Sequence, residues 1–350
     1  MKRQSLYFFA PGQVDVLEEE VSPPAEGQVL VTSLLSGISS GTEMLVYHGQ
    51  APEQMEVDAN IAALPGNFRF PLKYGYASVG QVVMAGAGVA PGWVGRRVFA
   101  FHPHESCYTA SPEELMPLPD GVTAEDAIFL ANLETAVNLV MDGRPRVGET
   151  VAVFGLGIVG LLVTALLAQF PLGRLVGLDC YPRRRQAALE AGAQAVVEPV
   201  DRFSTPEMTG WLSQVDGSQG FDLVYELSGS PPALDQAIRT AGYAGRVVVG
   251  SWYGQKPVAL ELGSHFHRSR IRLLSSQVSS VDPELSGRWS KARRFHLAWR
   301  QLERLRPSRW ISHRVPLAQA AEAYRLLAEH PDQALQVALA YPPAGDLPRR

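Results

Sequence analysis

Two grammars of apolar and polar positions divide this chain. Through about residue 120 the apolar runs are short and punctuated by Gly and Pro, which predicts strands over Gln28–Ser36, Gly80–Met84 and Arg97–Phe101. Before them, the apolar patch Leu6–Ala10 and the run Glu18-Glu19-Glu20 are too short and too acidic for a secretory leader. Between the first two strands, Gln50 to Lys73 carries Pro52, Pro65 and Pro71 with no period, the mark of a long loop. Pro117 to Gly121 reads as a turn. Thr123 with Asp126 then caps a helix expected to run to about Met141.

From Glu149 strands alternate with helices. Val151–Phe154, Arg174–Asp179, Ala195–Glu198, Phe221–Leu227, Arg246–Gly250 and Ile271–Ser275 read as six strands. Helices are expected to Phe170 after the first, over Arg183–Ala191, and over Pro232–Ala241. This alternation predicts a doubly wound parallel sheet. After Asp282 the pattern is helical again, then extended over Trp310–Pro316, helical over Leu317–Ala328 and a last strand over Gln336–Ala340, before a frayed tail. The expected organisation is α/β: a β-rich domain from residues 1–120 and 286–350, and a Rossmann domain over 121–285.

Composition alters this picture little. Among 350 residues, 46% are apolar and 19% charged, and the formal charge of −4 offers no general attraction to nucleic acid or an anionic membrane. The two cysteines, Cys107 and Cys180, exclude a disulfide framework and a four-cysteine zinc lobe. They fit a reducing, cytoplasmic setting. Val151 to Ala168 is nearly all apolar, yet three glycines in its first half mark a buried strand, turn and helix rather than a membrane span.

Those glycines carry the clearest chemistry. Gly155-Leu156-Gly157-Ile158-Val159-Gly160 follows a strand directly and opens a helix. Gly155 permits the tight turn, Gly157 the approach of a pyrophosphate, and Gly160 close helix–strand packing. The first helical residues, Ile158 and Val159, present free N–H groups to phosphate. Nineteen residues beyond Gly160, Asp179 ends the second strand, where a carboxylate accepts the adenosine ribose hydroxyls and repels a 2′-phosphate. NAD(H) is favoured over NADP(H), although the run Arg183-Arg184-Arg185 leaves Arg184 as a group that could meet that phosphate. Ser228-Gly229 and Gly250 end later strands and complete the expected cofactor site.

These features resemble the medium-chain, zinc-type alcohol dehydrogenases over nearly the whole chain, which implies a GroES-like catalytic domain beside the Rossmann domain. The metal-binding segments of that family are altered. Gly37-Ile38-Ser39-Ser40-Gly41-Thr42-Glu43 has serine in place of cysteine, Gly75-Tyr76-Ala77 has Tyr76 and Ala77 in place of His and Glu, and Ala131 or Asn132 stands at the third position. Neither catalytic nor structural zinc is expected, unless His102, His104 or Glu134 form a displaced site. The Gly-Ile-Ser-x-Gly-Thr-Glu and Gly-Tyr-x-Ser-Val-Gly segments are similar to the hydroxyethyl-bacteriochlorophyllide dehydrogenase branch, which implies oxidation of a secondary alcohol on a bulky substrate.

Without a metal, a side chain must polarise the substrate oxygen. Tyr76 is either that proton donor or a packed aromatic. The resemblance places Thr42 at a hydroxyl relay and Thr135 at a nicotinamide contact. His102 could shuttle a proton or sit in a surface turn, and Glu134 could be a general base or a helix-surface carboxylate. The function expected is hydride transfer between NAD(H) and a secondary alcohol or ketone. The alternatives are an NADPH-dependent enone or quinone reductase and a catalytically silent nucleotide-binding regulator. A homodimer is expected through Ile271–Ser275 as an edge strand.

Overall fold

A computed structural model of the protein describes residues 1–58, 60–199 and 220–342. Contacts divide the chain into two compact units, Met1–Ala131 with Trp299–Arg350, and Asn132–Ala298.

The first unit opens with a hairpin, β1 (Lys2–Ala10) and β2 (Gln13–Glu20). The register sets Lys2 against Glu20 and Arg3 against Glu19, so the acidic run becomes one side of a charge-paired ribbon. The sequence reading missed both strands, because their pairing chemistry is cross-strand and polar rather than an apolar alternation. The main sheet has the order β14 (Ile311–Pro316), β15 (Gln336–Ala340), β3 (Val29–Gly37), β4 (Ser78–Ala85), β5 (Arg97–Ala100) and β7 (Leu115–Pro117), with β6 (Cys107–Ala110) pairing β3. β3 is almost wholly buried because β4, β6 and β15 all pair with it. Short helix α1 (Thr42–Tyr47) follows β3.

The helix expected from Thr123 to Met141 is two helices, α2 (Ala124–Ala127) and α3 (Leu130–Gly143). Thr123 does cap it, accepting the Asp126 N–H at 3.1 Å. The Phe129 N–H then bonds three residues back to the Asp126 carbonyl, tightening the turn and ending the first helix.

The second unit is a six-stranded parallel sheet in the order β10 (Ala195–Val197), β9 (Arg174–Leu178), β8 (Thr150–Phe154), β11 (Phe221–Glu226), β12 (Ala241–Val249) and β13 (Arg272–Ser275). This is the 3-2-1-4-5-6 order of the doubly wound dinucleotide fold. Helices α4 (Ile158–Leu167), α5 (Pro182–Glu190) and α6 (Pro231–Thr240) connect its strands. Its core includes Phe154, Val176, Leu178, Phe221, Val224 and Ile238. Helix α7 (Lys291–Leu305) carries the chain out of this unit, and α8 (Ala320–Glu329) lies in the first. Among the described residues no helix is long and apolar enough to cross a membrane.

Candidate functional site

The second unit builds a candidate cofactor site mainly from backbone. Gly155 has φ +85°, and a Cβ there would lie 2.5 Å from the Ser228 backbone. A Cβ at Gly160 would lie 1.9 Å from the Gly155 carbonyl, so the turn and the α4 helix start close on each other. At Gly157, the N-cap, a Cβ would meet nothing within 4 Å. That open backbone, ahead of the free N–H groups of Ile158 and Val159, fits a pyrophosphate. Asp179, directly after β9, is buried and accepts the Leu156 N–H and the Tyr181 N–H, each at 2.8 Å. Arg184 lies 3.8 Å from the Asp179 carboxylate with its guanidinium over the Tyr181 ring. These groups fit a nicotinamide dinucleotide.

Ser228, Gly229 and Gly250 come together at the ends of neighbouring strands, organised by a residue the sequence reading passed over. Glu226, fully buried at the end of β11, accepts the Ser228 N–H at 2.8 Å, the Ser228 hydroxyl at 2.5 Å and the Tyr253 hydroxyl at 2.6 Å. Ser251 Oγ accepts the Gly229 N–H at 2.8 Å, and Lys256 donates to the Gly229 carbonyl at 2.6 Å. A Cβ at Gly250 would strike Leu139 and Leu227. An acidic residue ending an apolar strand was the available signal.

The first unit holds a second candidate cluster, made of side chains. Tyr76 donates its hydroxyl to Ser39 Oγ at 2.5 Å and lies 3.3 Å from Thr42 Oγ1, and all three residues are half-buried. Burial raises the Tyr76 phenol, with the Ser39 and Thr42 hydrogen bonds opposing it, so the group stays protonated through neutral pH. Beside this trio lies a fully buried network: Ser36 Oγ is 2.6 Å from His104 Nδ1, and His104 Nε2 is 3.0 Å from Glu43 Oε2. Tyr324 also donates to Glu43 Oε2, and the Ser39 N–H donates to Glu43 Oε1 at 2.7 Å.

Two expected catalytic residues lie in packed surroundings. His102 stacks on Tyr108 with ring centroids 3.6 Å apart, and burial lowers its pKa to about 4. Glu134 is ion-paired. Arg294, fully buried on α7, donates to it through Nε at 3.0 Å and Nη2 at 2.7 Å, and to Asn138 at 2.5 Å and the Ser280 carbonyl at 2.9 Å. Burial raises the Glu134 carboxyl and Arg294 partly offsets it. Arg294 went unread, although it falls in phase with buried Ala298 and Leu302 on the apolar stripe of α7. Thr135 is half-buried on α3, next to Glu134.

Zinc does not suit the hydroxyl trio. Serine and a phenol held protonated by burial are poor ligands beside Cys, His or carboxylate. Among the described residues no group of three or more His, Cys, Asp or Glu is placed to hold a metal.

Residues 159–296 match the family model described as zinc-binding dehydrogenase. Over 347 residues the chain is 23% identical to the D-guloside 3-dehydrogenase of Escherichia coli K12, covering 95% of this chain and 98% of that protein. Among solved structures, an alcohol dehydrogenase of Escherichia coli CFT073 complexed with NADH superposes with TM-score 0.76 at 20% identity, covering 97% of this chain and 99% of that one. A putative zinc-binding dehydrogenase of Sinorhizobium meliloti 1021 bound to NADP gives 0.75 at 20%, with coverages of 97% and 99%. The fold is that of the medium-chain alcohol dehydrogenase-like oxidoreductases.

Proposed function

We propose that the protein is an NAD(H)-dependent oxidoreductase acting on a secondary alcohol or its ketone, with the Tyr76 hydroxyl taking the part that zinc plays in similar enzymes. The observation that carries this reading is the Tyr76–Ser39 hydrogen bond, 2.5 Å, formed between hydroxyls in the two segments where the zinc-type pattern has metal ligands. The glycine turn and Asp179 support a nicotinamide cofactor, and a bound nicotinamide supplies the hydride and its two electrons. The ketone oxygen then needs one proton. Tyr76, kept protonated by burial, donates it, and Ser39 and Thr42 hold the phenol in position and return a proton from water. Alcohol oxidation runs the same path backwards. The likeness of the Gly37–Glu43 and Gly75–Gly80 segments to the hydroxyethyl-bacteriochlorophyllide branch favours a bulky substrate. The exposed edge strand β13, with Leu273 39% exposed, favours a two-fold dimer by strand pairing, which light scattering at micromolar concentration tests against a 38 kDa monomer.

The deciding experiment is NADH oxidation with a panel of bulky ketones, with zinc measured on the same preparation. Activity at substoichiometric zinc and insensitive to chelators is expected. Tyr76→Phe should lower kcat by ~10²–10⁴ with NADH affinity unchanged. One tightly held zinc per chain, or full activity in Tyr76→Phe, would overturn the reading.

A further inference from the structure

The sealed network beneath the hydroxyl trio has no place in the proton path just described. Glu43, His104, Ser36 and Tyr324 are all 0% exposed, whereas Ser39, Thr42 and Tyr76 are half-buried. Its hydrogen bonds run in one consistent direction. With Glu43 accepting on both oxygens, His104 is assigned as donating through Nε2. Nδ1 then accepts the Ser36 hydroxyl at 2.6 Å, and Ser36 Oγ accepts from Tyr341 at 2.7 Å. Tyr324 and the Ser39 N–H supply the remaining donors to Glu43. A buried network with every member satisfied is rigid, and one broken link leaves a desolvated polar group unpaired.

Two contacts tie this network to the hydroxyl pair. Glu43 Oε1 holds the backbone N–H of Ser39, the residue whose hydroxyl accepts from Tyr76. The His104 ring lies directly on Gly75, the residue before Tyr76. Gly75 has φ +113°, and a Cβ there would come within 2.6 Å of His104 Nε2. One carboxylate thus fixes one loop directly and the other through an imidazole that only glycine can admit.

We infer that Glu43 and His104 are positioning residues that set the register of Ser39 against Tyr76, the protein's substitute for a metal as the fixed point of the site. The inference rests on Tyr76 as the proton donor. It is tested with 3-fluorotyrosine placed at position 76 in the full chain, so that the ¹⁹F resonance reports the phenol's surroundings whether or not the protein turns over a ketone. Glu43→Gln exchanges one acceptor oxygen for an NH₂ and cannot serve the His104 and Ser39 donors together with Tyr324. The expected result is a shifted or broadened ¹⁹F line and a kcat roughly tenfold or more lower, with the KM for NADH unchanged. Glu43→Asp should restore part of both. Circular dichroism and a cooperative thermal melt of the full chain report folding. If Glu43→Gln does not fold, His104→Gln, which keeps a donor toward Glu43, takes its place. An unaltered ¹⁹F line in a folded variant overturns the inference. An inactive unmodified chain with a perturbed line in the variant overturns only the proposed reaction and leaves the positioning role standing.

Discussion

The turn at Gly155–Gly160 and the hydroxyl trio around Tyr76 solve the same problem, holding polar groups ready for a ligand, by opposite means. The first uses backbone N–H groups, a helix start and the absence of side chains, all within six consecutive residues. The second draws hydroxyls from segments more than thirty residues apart and supports them with His104, Tyr324 and Tyr341 from three further segments. A backbone site is written locally and tolerates change everywhere except at its glycines. A side-chain site is written across the chain, and its tolerance depends on whether each partner can be replaced.

The largest effect that could break this comparison lies within the glycine turn. Gly160→Val would drive a side chain into the Gly155 carbonyl, 1.9 Å from the Cβ position, and should destabilise the protein by at least about 3 kcal/mol. Gly157→Ala meets nothing within 4 Å and should leave the melting temperature unchanged while weakening NADH binding roughly tenfold, because its methyl takes the space of an approaching pyrophosphate. Thermal melts and NADH fluorescence titration check both. Undiminished NADH binding by Gly157→Ala would mean that the turn does not cradle the phosphates.

The same contrast explains what could be read in advance. The six parallel strands and the glycine turn follow from local periodicity and from residue types with one backbone meaning. The β1–β2 hairpin escaped because its pairs are Arg3 with Glu19 and Lys2 with Glu20, invisible until the register is known. His102 and Glu134 read as reactive because residue type alone suggests titration. Their surroundings, a Tyr108 ring and the Arg294 guanidinium, come from tertiary neighbours. Tyr76 was legible as an oddity within a familiar segment, but its hydrogen bond to Ser39 was not.

Arg294→Met sharpens the side-chain half of the comparison. It strands the Glu134 carboxylate in a buried site and should cost about 3–5 kcal/mol by chemical denaturation. If Glu134 serves as the counter-ion of Arg294, Glu134→Gln should lose stability in step, with kcat per folded molecule nearly unchanged.

Next in size is an acid response of the first unit. Burial holds folded His102 at about 4 against an ordinary 6.5. The unfolded chain therefore takes up a proton that the folded chain refuses, and this stability, full above 6.5, is lost as pH falls toward 4. The gap is worth on the order of 3 kcal/mol. Burial alone would raise Glu19, but hydrogen bonds from Lys73, Ser5 and Tyr7 outweigh it and hold the carboxyl at about 2, so a second loss follows from 4.5 down toward 2. His102→Phe keeps the stack on Tyr108 and should flatten the stability–pH curve between 6.5 and 4 while leaving the slope below it. An unchanged slope in that variant would assign the upper loss to another group.

The smallest effect asks whether the backbone half of the comparison also contains a side-chain decision. Asp179 has two duties that different substitutions separate. Its oxygens hold the Leu156 and Tyr181 N–H groups, fixing the turn, and on the proposed reading its charge would repel a ribose 2′-phosphate. Asp179→Asn removes the charge and keeps an acceptor oxygen. NADPH affinity should rise about tenfold, ~1.4 kcal/mol, while NADH, with one of the two N–H acceptors lost, weakens less than in a variant that loses both. Asp179→Ala also releases both N–H groups, so it should weaken NADH as well. Fluorescence titration of both cofactors against both variants separates the two duties. If the unmodified protein binds NADH and NADPH equally, the carboxylate holds the turn and selects nothing.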